Sequence, residues 1–182
     1  MRMPSLKSDR LVLRPLLPKD VPAIEDHLSN YDVSCYLGRV PHPYAKGNAI
    51  EWIEAQSRGT VGINMAITQN DTLIGTVGLK ASTEKDIGVF APTIGYWLGA
   101  PFWGKGIMKE AVRCLLEWYL PKEPTERICA SVMEKNARSL NVLTKLGFAE
   151  TGKGAIYSKI LDRDVPAIFL ELTAQRYYET IR

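Results

Sequence analysis

Histidine and cysteine are scarce in this 182-residue chain, two and three residues respectively. His27 and His42 stand apart from any cysteine cluster, so the ligand spacing of a zinc site is missing and no metal is expected. Cys35, Cys114 and Cys129 form no C-x-x-C pair and cannot all pair with one another. They read as reduced packing residues of a cytoplasmic protein. No run of about 18 uninterrupted apolar residues occurs, which leaves no candidate membrane span. Residues 1–10 are polar and lack the apolar region of a secretory signal. Excess charge is also small: Lys+Arg 23 against Asp+Glu 20, formally +3. That falls short of the basic stripe expected of a nucleic-acid binder. What remains is 46% hydrophobic and 24% charged, a composition that can bury a core without staples. One domain over residues 1–182 is expected.

The patterning is mixed. Leu11-Val12-Leu13-Arg14, closed by Pro15, alternates as a short strand. Asp20 is placed as the N-cap of a helix that carries Val21, Ile24 and Leu28 inward. A second helix is expected from about Ala45 to Arg58, with Ile50, Trp52 and Ile53 apolar and Gly59 as its stop. Ile63, Met65 and Ile67 keep the strand period; Asn70-Asp71 turns the chain, and Leu73–Leu79 returns. Thr93–Leu98 is a buried strand, Gly99–Gly106 a loop, and Ile107–Leu120 an amphipathic helix. Strand Arg127–Val132, helix Asn136–Leu146 stopped by Gly147, and strand Val165–Leu172 follow. A strand–helix–strand order in the second half implies parallel pairing through crossover helices. The class is α/β.

Chemistry concentrates in Gly99-Ala100-Pro101-Phe102-Trp103-Gly104-Lys105-Gly106-Ile107. Glycines let backbone N–H groups converge, and a helix N-terminus adds unpaired amides with partial positive charge. The segment reads as a pyrophosphate cradle, or as a tight connection that merely needs glycine. A nucleoside-triphosphatase loop is excluded because Gly106 stands where a magnesium-holding hydroxyl belongs after Lys105. A dinucleotide fingerprint fails because Lys109 occupies its third glycine position.

Four stretches together resemble the GNAT superfamily of acetyl-coenzyme A-dependent N-acetyltransferases, in its RimJ/RimL-like branch. They are Asp9–Pro15, Ile94–Leu98, Trp103–Met108, and Asn136-Ala137-Arg138-Ser139 leading to Lys145-Leu146-Gly147-Phe148. The resemblance implies a GNAT-like fold, with a mixed sheet of about six or seven strands splayed at the cofactor site and about four flanking helices. It implies that pantetheine runs along Trp97 and Leu98, and that the pyrophosphate sits on amides around Trp103, Gly104, Lys105, Gly106, Ile107 and Met108. Asn136 would bond the pantetheine arm, Ser139 would face the sulfur as the acid, and Tyr44 would lie over the acceptor. Departures are Pro101, where a Gln or Arg is common, Leu143, where many members carry a tyrosine, and Thr93, where a base glutamate often stands. Glu84, Asp86, His42 and Glu150 are weak substitutes for that base.

The resemblance makes the chain an enzyme that moves an acetyl group from acetyl-CoA to a primary amine by direct attack. An N-terminal α-amine, with a pKa of roughly 7.7–8.0, needs far less help than a lysine at about 10.4. A peptide or protein N-terminus is therefore the favoured acceptor. A small-molecule or polyamine acceptor, and a non-catalytic acyl-CoA-binding or sensing protein, are the alternatives. A homodimer, the commonest assembly, stays open.

Overall fold

The computed structural model describes residues 3–57, 62–80, 91–122 and 127–182. Its strands are β1 (Leu6–Lys7), β2 (Val12–Pro15), β3 (Ile63–Gln69), β4 (Thr72–Lys80), β5 (Thr93–Leu98), β6 (Ile128–Met133), β7 (Ala149–Ser158) and β8 (Arg163–Leu172). The helices among the described residues are α1 (Val21–Ser29), α2 (Tyr31–Ser34), α3 (Asn48–Ser57), α4 (Ile107–Tyr119), α5 (Ala137–Thr144) and α6 (Ala174–Thr180). The strands form one mixed sheet ordered β1-β2-β3-β4-β5-β6-β8-β7. The α/β class holds. The counts exceed expectation because β1 and α2 are too short to show a period, and α6 is set by the Thr173 cap, whose hydroxyl accepts from Arg176 N–H.

Strand alternation sends side chains to two cores. Met65, Ile67, Val77, Leu79, Ile94 and Leu98 join α4 on one face, while Ala66, Leu73 and Trp97 meet α1, α2 and α3 on the other. Helix α4 presents Ile107, Met108, Ala111, Val112, Leu115 and Leu116 to the first core, all buried. Asn70 and Asp71 both take positive φ in the β3–β4 turn, the conformation that favours Asn and Asp in two-residue hairpins.

Asp20 stands at the N-cap of α1 as expected, but its side chain makes no cap bond. Its oxygens instead receive both terminal nitrogens of buried Arg14 at 2.8 Å and the Leu17 amide at 2.8 Å. The Asp20 hydrogen bond outweighs burial and raises the Arg14 pKa. Helix α3 starts at Asn48 and leaves Ile50 49% exposed, so of the expected apolar positions only Ile53 is buried.

The sheet opens between β5 and β6. These strands are parallel, and their register is Thr93↔Cys129 alone, with Cys129 N–H donating to Pro92 O. By contrast, β4–β5 and β6–β8 each hold six registered pairs. Gly99 N–H bonds Ile74 O, so alternate residues of β5 face β4. Tyr96 and Leu98 consequently turn their backbone groups towards the gap.

Candidate functional site

The loop after β5 is shaped by two glycines in left-handed backbone, Gly104 at φ 74 and Gly106 at φ 73. A Cβ at Gly104 would meet nothing within 4 Å and one at Gly106 only Arg10 at 3.7 Å. Glycine is needed there for conformation rather than for room. Gly106 is the N-cap of α4 and no side chain caps that helix, so its first amides remain available to an anion. A bracket from far away in sequence fixes the loop. Arg10 donates to Lys105 O at 3.0 Å and to Glu110 Oε2 at 2.7 Å; Ser8 Oγ donates to Glu110 Oε1 at 2.7 Å. Burial pushes the Glu110 carboxyl up, but these hydrogen bonds and Arg10's charge outweigh it, and its pKa is lowered.

A cleft of about 740 Å³ opens beside this loop. Nine of the expected residues line it: Trp97 and Leu98 from β5, Trp103, Gly104, Gly106, Ile107 and Met108 around the α4 entrance, and Asn136 and Ser139 at the start of α5. Asn136 also caps α5, its Oδ1 accepting the Ser139 N–H at 3.2 Å. Trp103 Nε1 donates to Leu98 O at 2.7 Å, and the Arg138 guanidinium stacks 4.1 Å from the Trp103 ring centroid. Those contacts hold the two sides of the cleft together.

Lys105 and Tyr44 are not among the lining residues of this cleft. Lys105 precedes α4, and its Nζ folds back onto Pro101 O at 2.8 Å. Lys109, Arg138 and Lys145 line the cleft instead. Tyr44 lines a neighbouring cavity of about 650 Å³ with Trp52, Thr76 and Gly95. Burial, with Glu25 adding to it, pushes its phenol to about 12.

A further cavity of about 760 Å³ runs through the gap in the sheet, bordered by Thr93, Gly95 and Tyr96 on one side and Ala130–Met133 on the other. Ser139, Tyr96 and Asn136 border both this cavity and the cleft. At that junction Ser139 Oγ lies 2.9 Å from the Tyr96 hydroxyl. Tyr96 carries a polar group into the site that the sequence reading assigned to no role; in sequence it is one more aromatic in a buried strand.

Of the weak base candidates, Glu84 and Asp86 lie outside the described residues. His42 pairs its Nδ1 with Ser34 Oγ at 3.1 Å and packs on Tyr31. Neither it nor Glu150 lines the cleft or the two cavities, whereas Thr93 does.

The model of the acetyltransferase (GNAT) domain family matches residues 10–149. The chain belongs to the GNAT acetyltransferase family. It is 31% identical over 154 residues to Uncharacterized N-acetyltransferase YoaA of Bacillus subtilis (strain 168), covering 82% of this chain and 85% of that protein. To Uncharacterized N-acetyltransferase p20 of Bacillus licheniformis it is 27% identical over 179 residues, 96% and 99% of the two chains. Among solved structures it shares the fold of RimL, a ribosomal L7/L12 alpha-N-protein acetyltransferase in complex with coenzyme A. The TM-score is 0.78 at 18% identity, over 93% of this chain and 98% of that one.

GNAT enzymes use acetyl-CoA, and the residues present fit it. Open amides at the α4 entrance and the cations Lys109, Arg138 and Lys145 suit a polyanion. The apolar walls of the gap, with the backbone edge of β5 at Tyr96 turned towards it, suit an amide-bearing arm. No group of three or more metal-binding side chains is found among the described residues. No helix among them is long and apolar enough to cross a membrane.

Proposed function

We propose that this acetyltransferase modifies the N-terminal α-amine of a peptide or protein, by direct attack of the neutral amine on acetyl-CoA. The observation that carries the reading is the junction itself. Ser139 and Tyr96 sit where a cation-lined cleft meets a cavity whose wall, among the described residues, offers Thr93 and no carboxylate. Acetyl-CoA supplies an activated acetyl group on a thiol of pKa near 8.5, a leaving group that needs modest help. In this reading the amides of Gly104–Met108, with Lys109, Arg138 and Lys145, take the phosphates. Trp97, Leu98 and Asn136 guide the arm, and Ser139 donates a hydrogen bond to the sulfur.

Among the described residues that wall carries no carboxylate, which suits an amine that is already partly neutral. About 10–20% of an α-amine is neutral at pH 7, against less than ~0.1% of a lysine. Direct transfer is supported by the cysteines, none of which lines the cleft or the cavities. Burial raises the pKa of all three thiols, that of Cys114 to about 11, so they stay protonated and poorly nucleophilic. Free thiols also suit a cytoplasmic setting. Arg39, Lys80 and Lys159 outnumber Glu51 among the charged residues lining the two acceptor cavities, which disfavours a polyamine. Thiol release from acetyl-CoA, measured with matched α-amine and ε-amine peptides and with spermidine, tests the reading. A preference for α-amines is expected; a preference for lysine or spermidine overturns it.

A further inference from the structure

We infer that Tyr96 is a positioning residue that sets the direction of the Ser139 hydroxyl: the phenol donates to Ser139 Oγ, leaving the serine hydrogen to point at the departing sulfur. This rests on the reading of Ser139 given above. The two oxygens are 2.9 Å apart, and the other contact of the phenol, the Ser139 carbonyl, is longer at 3.3 Å. That carbonyl already lies within α5, where an amide one turn on serves it. Among the described residues no group other than Tyr96 reaches Ser139 Oγ. Serine near a helix start often bonds a backbone carbonyl; here it does not. Between a phenol and an aliphatic hydroxyl the phenol is the more acidic and the better donor. With the phenol donating, the serine hydrogen has no protein acceptor, and Ser139 borders the cleft. Burial pushes Tyr96 to about 12, against a smaller opposing effect of the Ser139 bond, so the phenol keeps its proton at neutral pH. One turn further along α5, Leu143 is 1% exposed and offers no donor.

The step balances without an external co-reactant. As the amine attacks, a C–N bond forms and the C–S bond breaks, with its electron pair going to sulfur. The amine passes a proton to water and the thiolate takes one from water. Ser139 donates a hydrogen bond to sulfur as the charge develops and keeps its proton, and a donor at its back strengthens it.

The test compares wild type with Tyr96→Phe, Ser139→Ala, Ser139→Thr, and the two double variants that combine Tyr96→Phe with each Ser139 change. Turnover, KM for acetyl-CoA and Tm are read with the best α-amine peptide. Tyr96→Phe should lower kcat about tenfold, the size of one net hydrogen bond, with KM within twofold and Tm nearly unchanged. Added to Ser139→Ala it should cost nothing more, whereas Ser139→Thr should keep a rate that Tyr96→Phe then removes. A kcat for Tyr96→Phe within twofold of wild type overturns the role of Tyr96 alone, as do losses that multiply in the double variant with Ala or that move with KM and Tm. A wild type that releases no CoA with any amine overturns the acetyl-transfer reading and this one with it.

Discussion

At the scale of single residues, the strongest constraint away from the site is the Arg14–Asp20 pair. Both are buried, 8% and 3% exposed, and Asp20 also ties the Leu17 amide into the turn that starts α1. Among the described residues, removing Asp20 leaves the buried Arg14 charge with only the exposed Asp71 at 3.6 Å for a counter-ion. Asp20→Ala should therefore cost about 3–5 kcal/mol in urea unfolding, while Asp20→Asn, which keeps an acceptor, should cost less. Equal losses would argue against the charge. Gly106 is a conformational constraint: at φ 73 a β-branched residue is strained and would re-aim the amides beside it. Gly106→Val should weaken acetyl-CoA binding at least tenfold by calorimetry, with a smaller effect on Tm; unchanged affinity would remove this loop from the site. The glycine spacing was legible in the sequence because loop conformation is local. The Tyr96–Ser139 pair was not, since its members stand 43 positions apart and meet only because the sheet parts between β5 and β6. The fold-back of the Lys105 Nζ onto Pro101 O was not legible, because the motif fixes its backbone and not its side chain.

At the scale of elements, α4 and α5 carry the site and are held differently. Helix α4 is fastened through its buried face, so Leu115→Ala, at 0% exposure, should cost about 2–5 kcal/mol without a matching loss of acetyl-CoA affinity per folded molecule. Its entrance is held by Ser8 and Arg10 gripping Glu110, which gives the amino-terminal block Asp9–Pro15 a physical purpose. That block was readable as a family pattern, but not as a clamp, because its partners lie about a hundred positions downstream. Helix α5 is short and depends on its cap. Asn136→Ala should cost about 0.5–2 kcal/mol and, by loosening the turn that carries Ser139, lower turnover as well. A change in stability with turnover intact would confine Asn136 to capping. The strand periods of β3, β4 and β5 were plain, whereas β1, α2 and α6 were not. Two residues of strand show no alternation, and four to seven of helix make at most about two turns of a 3.6-residue period.

At the scale of the whole molecule, one buried phenol, Tyr177, and two half-buried ones, Tyr44 and Tyr96, couple stability to alkaline pH. Burial raises Tyr44 and Tyr96 to about 12, and Tyr177 is raised as well, by burial first. In the unfolded chain a tyrosine ionises near ~10. The phenols' share of stability is thus complete below about pH 10 and is lost progressively as pH rises towards 12, because the unfolded state releases its protons first. Tm should begin to fall above about pH 8.5, where the raised thiols ionise first in the unfolded chain, and fall more steeply above about 10; a flat profile to about pH 12 would contradict the burial of these groups. Turnover should follow the acceptor instead, rising through about pH 8 as the α-amine loses its proton. The split sheet unites these observations. A parallel strand pair that registers at Thr93 and Cys129 and then parts leaves one passage, with amides and cations at one end and the Ser139–Tyr96 pair at its centre. A crystal structure with acetyl-CoA tests this most directly. The diphosphate should lie on the amides of Gly104–Met108, with the thioester sulfur within hydrogen-bond reach of Ser139 Oγ. A ligand seated away from the β5–β6 gap, or a sulfur remote from Ser139, would contradict it.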